Sequence, residues 1–177
     1  MEEIKILYHN KDMPKLENIG GIDKSAMIDL YTAEDYELEV GKFYLLNLGV
    51  SMKLPESYQA NIVPRSSTFK KFGLIQCNHY GVIDNSYSSA EDIWKLPVFA
   101  PLTQEDIKSA FLNIVGLPLN REDFTNGVNL MEFRKIKIPK YTRLCQFEIK
   151  KTMPDIKFIE SDLSEEIGRG GFGSTGF

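Results

Sequence analysis

Short alternations of apolar and polar positions run along most of the chain. Leu38 and Val40 alternate ahead of Gly41-Lys42, and Phe43, Leu45, Leu48 and Val50 extend the pattern to Leu54-Pro55, so residues Tyr36 to Pro55 predict two or three short strands. Tyr58, Ala60 and Ile62 alternate again before Pro64, and Val82-Ile83, Lys95 to Phe99, Phe133 to Ile138 and Leu144 to Ile149 predict further strands. Many short strands punctuated by Gly, Pro and Asn indicate an all-β protein, an antiparallel sandwich or barrel. No internal repeat is visible.

One stretch departs from this period. Thr103 stands three residues before Asp106, the spacing of a capping box. Leu102 and Ile107 are placed as a hydrophobic staple, and Ile107, Ala110, Phe111, Ile114 and Val115 recur at helical intervals. An amphipathic helix over Thr103 to Val115 is predicted, followed by a Pro/Asn/Gly-rich connection from Gly116 to Asn129. Residues 101–130 therefore form a helical insertion in the β framework. The acidic run Ser161 to Glu166 reads as a solvated linker. The expected division is a β domain over residues 1–160 and a C-terminal arm over 161–177.

Composition narrows the function. A chain of 177 residues suits one domain, and 25 acidic against 21 basic side chains leave a net charge of -4. That balance argues against nucleic-acid binding, which calls for a basic surface, but leaves room for a small anion in a local pocket. The 2 cysteines, Cys77 and Cys145, lack metal-ligand spacing and point to a reducing compartment. With no apolar leader and no run long enough to span a bilayer, a soluble cytoplasmic protein is expected, with no membrane partner.

The candidate chemistry lies in five polar segments. Arg65-Ser66-Ser67 follows a strand and precedes a possible short helix from Thr68 to Phe72, a place where exposed N–H groups favour an anion; a plain helix cap fits as well. Gly81-Val82-Ile83-Asp84-Asn85-Ser86-Tyr87 sets a carboxylate and a phenol three residues apart. Asp84 suits proton abstraction from water and the Tyr87 ring suits packing on a sugar, whereas an Asx turn closing a hairpin is the structural alternative. Asp29, and Arg143 with Gln146, are unremarkable singly. The tail Gly168 to Phe177 offers mobile backbone N–H groups, the donors Arg169, Ser174 and Thr175, and the flat ring of Phe172, although a Gly/Ser end can equally be a flexible terminus.

Taken in order, these segments resemble the five motifs of the trimeric dUTPase family, the deoxyuridine triphosphate nucleotidohydrolases. They are Ser25-Ala26-Met27-Ile28-Asp29-Leu30, Arg65-Ser66-Ser67, Gly81 to Tyr87, Arg143-Leu144-Cys145-Gln146 and Gly170 to Gly176. The resemblance implies a distorted jelly-roll β-barrel, a homotrimer that exchanges C-terminal arms, and Mg²⁺-dependent hydrolysis of dUTP to dUMP and pyrophosphate. It implies that Asp84 activates the water attacking the α-phosphate and that Tyr87 packs under the deoxyribose. Asn78 with Gly81, Val82 and Ile83 would pair with uracil, and Arg65, Ser66, Ser67 and Gln146 would hold the phosphates. Arg169, Phe172, Gly173, Ser174 and Thr175 would close over the nucleotide. Mg²⁺ would be held mainly by the triphosphate and water, with Asp29 in its outer shell.

The sequence departs from the family pattern at Met27 and Ser89, where glycine is usual, and at Cys145, where alanine is usual. Its tail arginine, Arg169, stands two positions after the usual place, which Ile167 occupies. Two alternatives accompany the dUTPase expectation. One is a dCTP deaminase, or a bifunctional deaminase and pyrophosphatase, of the same fold; the other is a nucleotide-responsive regulator that binds a protein partner through residues 101–130.

Overall fold

The computed structural model describes residues 3–16, 26–114, 133–162 and 164. In chain order the strands are β1 (Lys5–Tyr8), β2 (Ile28–Tyr31), β3 (Tyr36–Glu39), β4 (Phe43–Asn47), β5 (Val50–Lys53) and β6 (Tyr58–Pro64). After helix α1 (Thr68–Phe72) come β7 (Ile75–Gln76), β8 (Gly81–Ile83) and β9 (Lys95–Phe99). Helix α2 (Gln104–Ile114), β10 (Lys135–Ile138) and β11 (Arg143–Lys151) complete the set. Every strand pair among the described residues is antiparallel, in sheets ordered β2-β11-β6-β8, β4-β9-β7, β1-β5 and β3-β10. Among the described residues these four sheets enclose one core without joining into a single hydrogen-bonded cylinder.

Alternation explains the packing. In β9 the burial order is exposed, buried, intermediate, buried, exposed, which sends Leu96 and Val98 inward. They meet Leu46, Leu48, Leu38 and Leu30 around Trp94, whose ring stands edge-on to Phe147 at 5.3 Å and 87°. Burying such side chains contributes roughly 1.5–3 kcal/mol each, the main term holding the sheets together.

The strands expected from the sequence are all present, three of them within Tyr36 to Pro55, and β9 has the expected bounds. Strands β1, β2 and β7 were not anticipated. Ile4, Ile6 and Tyr8 do alternate along β1 and pack against the core, a signal the sequence carries; β7, two residues long, has no periodicity to read.

The insertion begins as expected and then differs. Thr103 and Asp106 form the capping box: the Asp106 N–H donates to Thr103 Oγ1 at 3.1 Å and the Thr103 N–H donates to Asp106 Oδ2 at 2.9 Å. The face turned inward, however, carries Asp106 and Ala110, while Ile107 and Phe111 remain 51% and 58% exposed. An ion pair sets this rotation. Arg134, on the segment entering β10, donates from Nε to Asp106 Oδ1 at 2.7 Å and from its NH2 group to Oδ2 at 3.3 Å. The guanidinium first, with the Thr103 bonds adding, holds the Asp106 carboxyl down at about 2 against the opposing effect of burial. Val115 and the connection to Asn129 lie outside the described residues. No helix among the described residues is long and apolar enough to cross a membrane.

Candidate active site

Strand β6 links two polar clusters. At its C-terminal end, β11 lies between β2 and β6 and brings Gln146 opposite both Asp29 and Val63. Asp29, inside β2, is held through both oxygens: Arg65 Nε lies 2.9 Å from Oδ1 and Arg143 NH1 donates to Oδ2 at 3.2 Å. Two guanidinium groups around one carboxylate leave a net positive site with unused N–H donors, suited to phosphate oxygens. The backbone N–H of Arg65 and the hydroxyl of Thr68 both donate to Leu144 O, which fixes the turn onto β11.

Ser67 occupies the N-cap position of α1, yet its side chain makes no capping bond. Ser66 is exposed and Ser67 half-buried, so both hydroxyls stand beside Arg65 without a role in closing the helix. Cys145, fully buried between these residues, has its thiol pushed well above the usual range by burial first and by the Asp29 charge second. It is a packing residue, not a nucleophile.

The second cluster follows β8. Asp84 is exposed, and its Oδ1 accepts from the backbone N–H of Ser86 at 2.8 Å and from the Ser86 hydroxyl. The structural alternative read from the sequence is thus present, an Asx turn, but it occupies one oxygen only. These bonds, the hydroxyl's first, lower the Asp84 carboxyl below its ordinary value and keep it ionised. The Tyr87 N–H adds a smaller pull on the carboxylate, and no hydrogen bond of normal geometry reaches Oδ2 among the described residues. Tyr87 is held across the turn, its hydroxyl donating to Ile93 O at 3.2 Å while the ring stays 38% exposed.

Asn78 lies in the tight connection from β7 to β8, the strand that Gly81 begins. His79 has φ of 53° and the Tyr80 N–H bonds Asn78 O. Gln76, buried beneath, donates from Nε2 to Asn78 Oδ1 at 2.8 Å and to Ile62 O at 3.0 Å. Gly81 is closely approached: a Cβ there would come within 3.2 Å of Asn78 Nδ2, so a larger residue would press on that amide.

The two clusters are separate within one chain. Because Ile83 pairs with Ala60 and Gly81 with Ile62, Asp84 lies beyond the level of Ala60, whereas Arg65 follows Pro64 at the other end of the same strand. At about 3.3 Å per residue the separation is roughly 20 Å. The structure thus joins Asp29, Arg65 and Gln146 at one end and Asp84, Tyr87, Asn78 and Gly81 to Ile83 at the other. Arg169, Phe172, Gly173, Ser174 and Thr175 lie outside the described residues. The sequence placed Arg143 and Ser86 within the motifs without giving either a role: Arg143 grips Asp29 from 114 residues away, and Ser86 anchors Asp84. The Asp-x-Ser spacing of an Asx turn was a signal for the second; only strand register exposes the first.

Comparison with known proteins identifies the family. Residues 19–94 match the family model described as dUTPase. The SPbeta prophage-derived deoxyuridine 5'-triphosphate nucleotidohydrolase YosS of Bacillus subtilis is 38% identical over 174 residues, covering 98% of each chain. The dUTPase of Staphylococcus bacteriophage 80alpha, solved with dUpNHpp, superposes with a TM-score of 0.68 at 21% identity over 100% of both chains. A mutant dUTPase of phage phi11 of S. aureus, described with a structural Mg(II) ion, has a TM-score of 0.63 at 18% identity over 90% of this chain and 98% of its own. With five motifs in order, this β architecture and full-length similarity to YosS, the chain belongs to the dUTPase family.

Proposed function

We propose that the protein hydrolyses dUTP to dUMP and pyrophosphate, limiting uracil incorporation into DNA and supplying dUMP. One observation carries the mechanism: Asp84 is exposed and ionised, with one oxygen pinned by Ser86 and the other open. In this reading Oδ2 takes a proton from a water molecule as that water bonds to the α-phosphorus in line with the departing pyrophosphate. Tyr87 packs against the deoxyribose. Asn78 and the backbone of Gly81, Val82 and Ile83 read uracil, while Arg65, Ser66, Ser67 and Gln146 bind phosphate oxygens.

When bound, Mg²⁺ would supply neutralisation of the charge that builds on the triphosphate oxygens. Both Asp29 oxygens face guanidinium groups, so this carboxylate fits the role of holding Arg65 and Arg143 in place, with the ion taking its ligands from triphosphate and water. Incubating the protein with Mg²⁺ and either dUTP or dCTP tests the reading. Pyrophosphate from dUTP is expected, and ammonia from dCTP overturns it in favour of a deaminase.

The separation of the clusters supports a homotrimer with sites shared between subunits, because a triphosphate is shorter than the roughly 20 Å between Asp84 and Arg65 on one chain. Two surfaces support association. Phe43, Phe99 and Ile75 form an exposed cross-strand row, at 55%, 39% and 42% exposure. After β11, Met153, Ile156, Phe158 and Ile159 are 54–92% exposed on a stretch without secondary structure, as fits an arm from residue 161 onward that crosses to a neighbour. The glycine-rich residues would then close over the neighbour's nucleotide, with Phe172 on uracil and Arg169, Gly173, Ser174 and Thr175 on the phosphates. Removing residues 168–177 is expected to cut activity while leaving the trimer folded. A reducing cytoplasm, with Cys77 and Cys145 as free thiols, completes this reading.

A second reading concerns α2, whose Ile107, Phe111 and Leu112 face solvent while its base is tied down by Asp106 and Arg134. A rooted helix with an apolar outer face suits a regulatory protein partner. Replacing the three by serine separates the roles: loss of the trimer assigns this face to self-assembly, and an intact, active trimer leaves it for another protein.

A further inference from the structure

We infer that Gln76 is a positioning residue that dictates which end of the Asn78 amide meets the base, and thereby helps the site prefer uracil over cytosine. The inference rests on the dUTP reading above and adds a residue that none of the five motifs contains.

One group in this chain of bonds cannot reverse. The backbone carbonyl of Ile62 only accepts hydrogen bonds, and Gln76 Nε2 donates to it at 3.0 Å. Turning the Gln76 amide over would bring Oε1 against that oxygen, so Ile62 fixes the amide. The second Nε2 proton goes to Asn78 Oδ1 at 2.8 Å. Asn78 is therefore held by its oxygen, and its Nδ2, with no partner among the described residues, is left as a spare donor on an exposed residue. The orientation passes in one direction, from a main-chain carbonyl on β6 through a buried amide to an exposed one.

Two further observations show that the arrangement is built into the fold. Gln76 is 4% exposed, and its Oε1 is buried without a partner among the described residues while both Nε2 bonds are kept. Gly81 leaves the room needed, since a Cβ there would lie 3.2 Å from Asn78 Nδ2 and 3.5 Å from Gln76 Nε2. A spare N–H donor complements a ring carbonyl. Cytosine presents an amino group where uracil has its C4 carbonyl, so donor meets donor, and a fixed amide penalises the mismatch where a freely turning one would not.

The test compares dUTP and dCTP hydrolysis by the wild type, Gln76→Met and Gln76→Glu, following pyrophosphate release, with thermal melting as the check of folding. Gln76→Met is expected to raise KM for dUTP about tenfold with kcat within about twofold, and to lower the dUTP over dCTP preference about tenfold. In an Asn78→Ala background the same substitution is expected to leave the preference unchanged. Should Gln76→Met melt early, assaying both nucleotides below its melting temperature carries the test, because the preference is a ratio taken within the folded fraction of one variant; Gln76→Glu, where it folds, is expected to lower the preference further. A folded variant that keeps the wild-type preference, or an equal loss with and without Asn78, overturns the positioning role. A wild type that does not hydrolyse dUTP overturns the functional reading instead.

Discussion

Asp84 and Asp29 stand toward opposite ends of one sheet and are held in opposite ways. Asp84 is anchored by a residue two positions along the chain, faces solvent and keeps one oxygen open. Asp29 is gripped through both oxygens by arginines that the sheet brings from distant positions. The first arrangement leaves a carboxylate available to accept a proton; the second converts a carboxylate into a mount for two cations. Burial and partners, not residue type, assign the two roles.

The sharpest way to break this contrast is at Asp84. Asp84→Asn keeps the shape of the turn and removes the proton acceptor, so kcat is expected to fall by about 10²–10⁴ while nucleotide binding persists. Single-turnover kinetics alongside equilibrium binding checks both halves, and turnover near the wild-type rate would remove Asp84 from its role.

Mixing variants tests whether the two ends meet across subunits. Asp84→Asn and Arg65→Ala chains are each expected to be impaired. Refolded together in equal amounts, random trimers would carry the intact pair at about a quarter of their sites, if each site takes Asp84 from one chain and Arg65 from another. Recovery to about that fraction supports shared sites, and no recovery places both residues in a site within one chain.

The contrast also explains what could be read from the sequence. The Asp84 turn is local, and its residues are adjacent, so Gly81 to Tyr87 declared both an Asx turn and a carboxylate suited to water activation. The strands were legible for the same reason, since alternation such as that of Lys95 to Phe99 needs no knowledge of the partner. The grip of Arg143 on Asp29 depends on β11 lying between β2 and β6 with a register shift between Arg143 and Cys145, which no short pattern encodes. The face of α2 was misjudged because an ion pair to Arg134, across the insertion, outweighed the apolar stripe.

Ser86 offers a smaller perturbation of the same turn. Its bonds hold the Asp84 carboxyl below the ordinary value of about 4, so Asp84 is charged throughout the neutral range and the acid limb of kcat should lie below about pH 4. Ser86→Ala removes the hydroxyl donor and raises that pKa. The acid limb is expected to move upward while kcat at pH 7 stays within about twofold. A limb that does not move detaches it from Asp84.

Asp106 provides the control with the least effect on catalysis. Like Asp29 it is clamped by an arginine, but it serves the insertion, so replacing it should cost stability and leave turnover within about twofold of the wild type. Arg134 is 51% exposed and water screens it, so the loss for Asp106→Asn is reduced from the buried-pair range to on the order of 1–2 kcal/mol, including the cap. The pH dependence has a definite sign. The folded carboxyl is lowered to about 2 from 3.8, so its contribution is complete above about pH 4 and is lost as pH falls through about 2. The melting temperatures of wild type and Asp106→Asn should therefore differ most at neutral pH and converge toward pH 2. A constant difference would mean that the cap geometry, not the charge on Asp106, roots the helix.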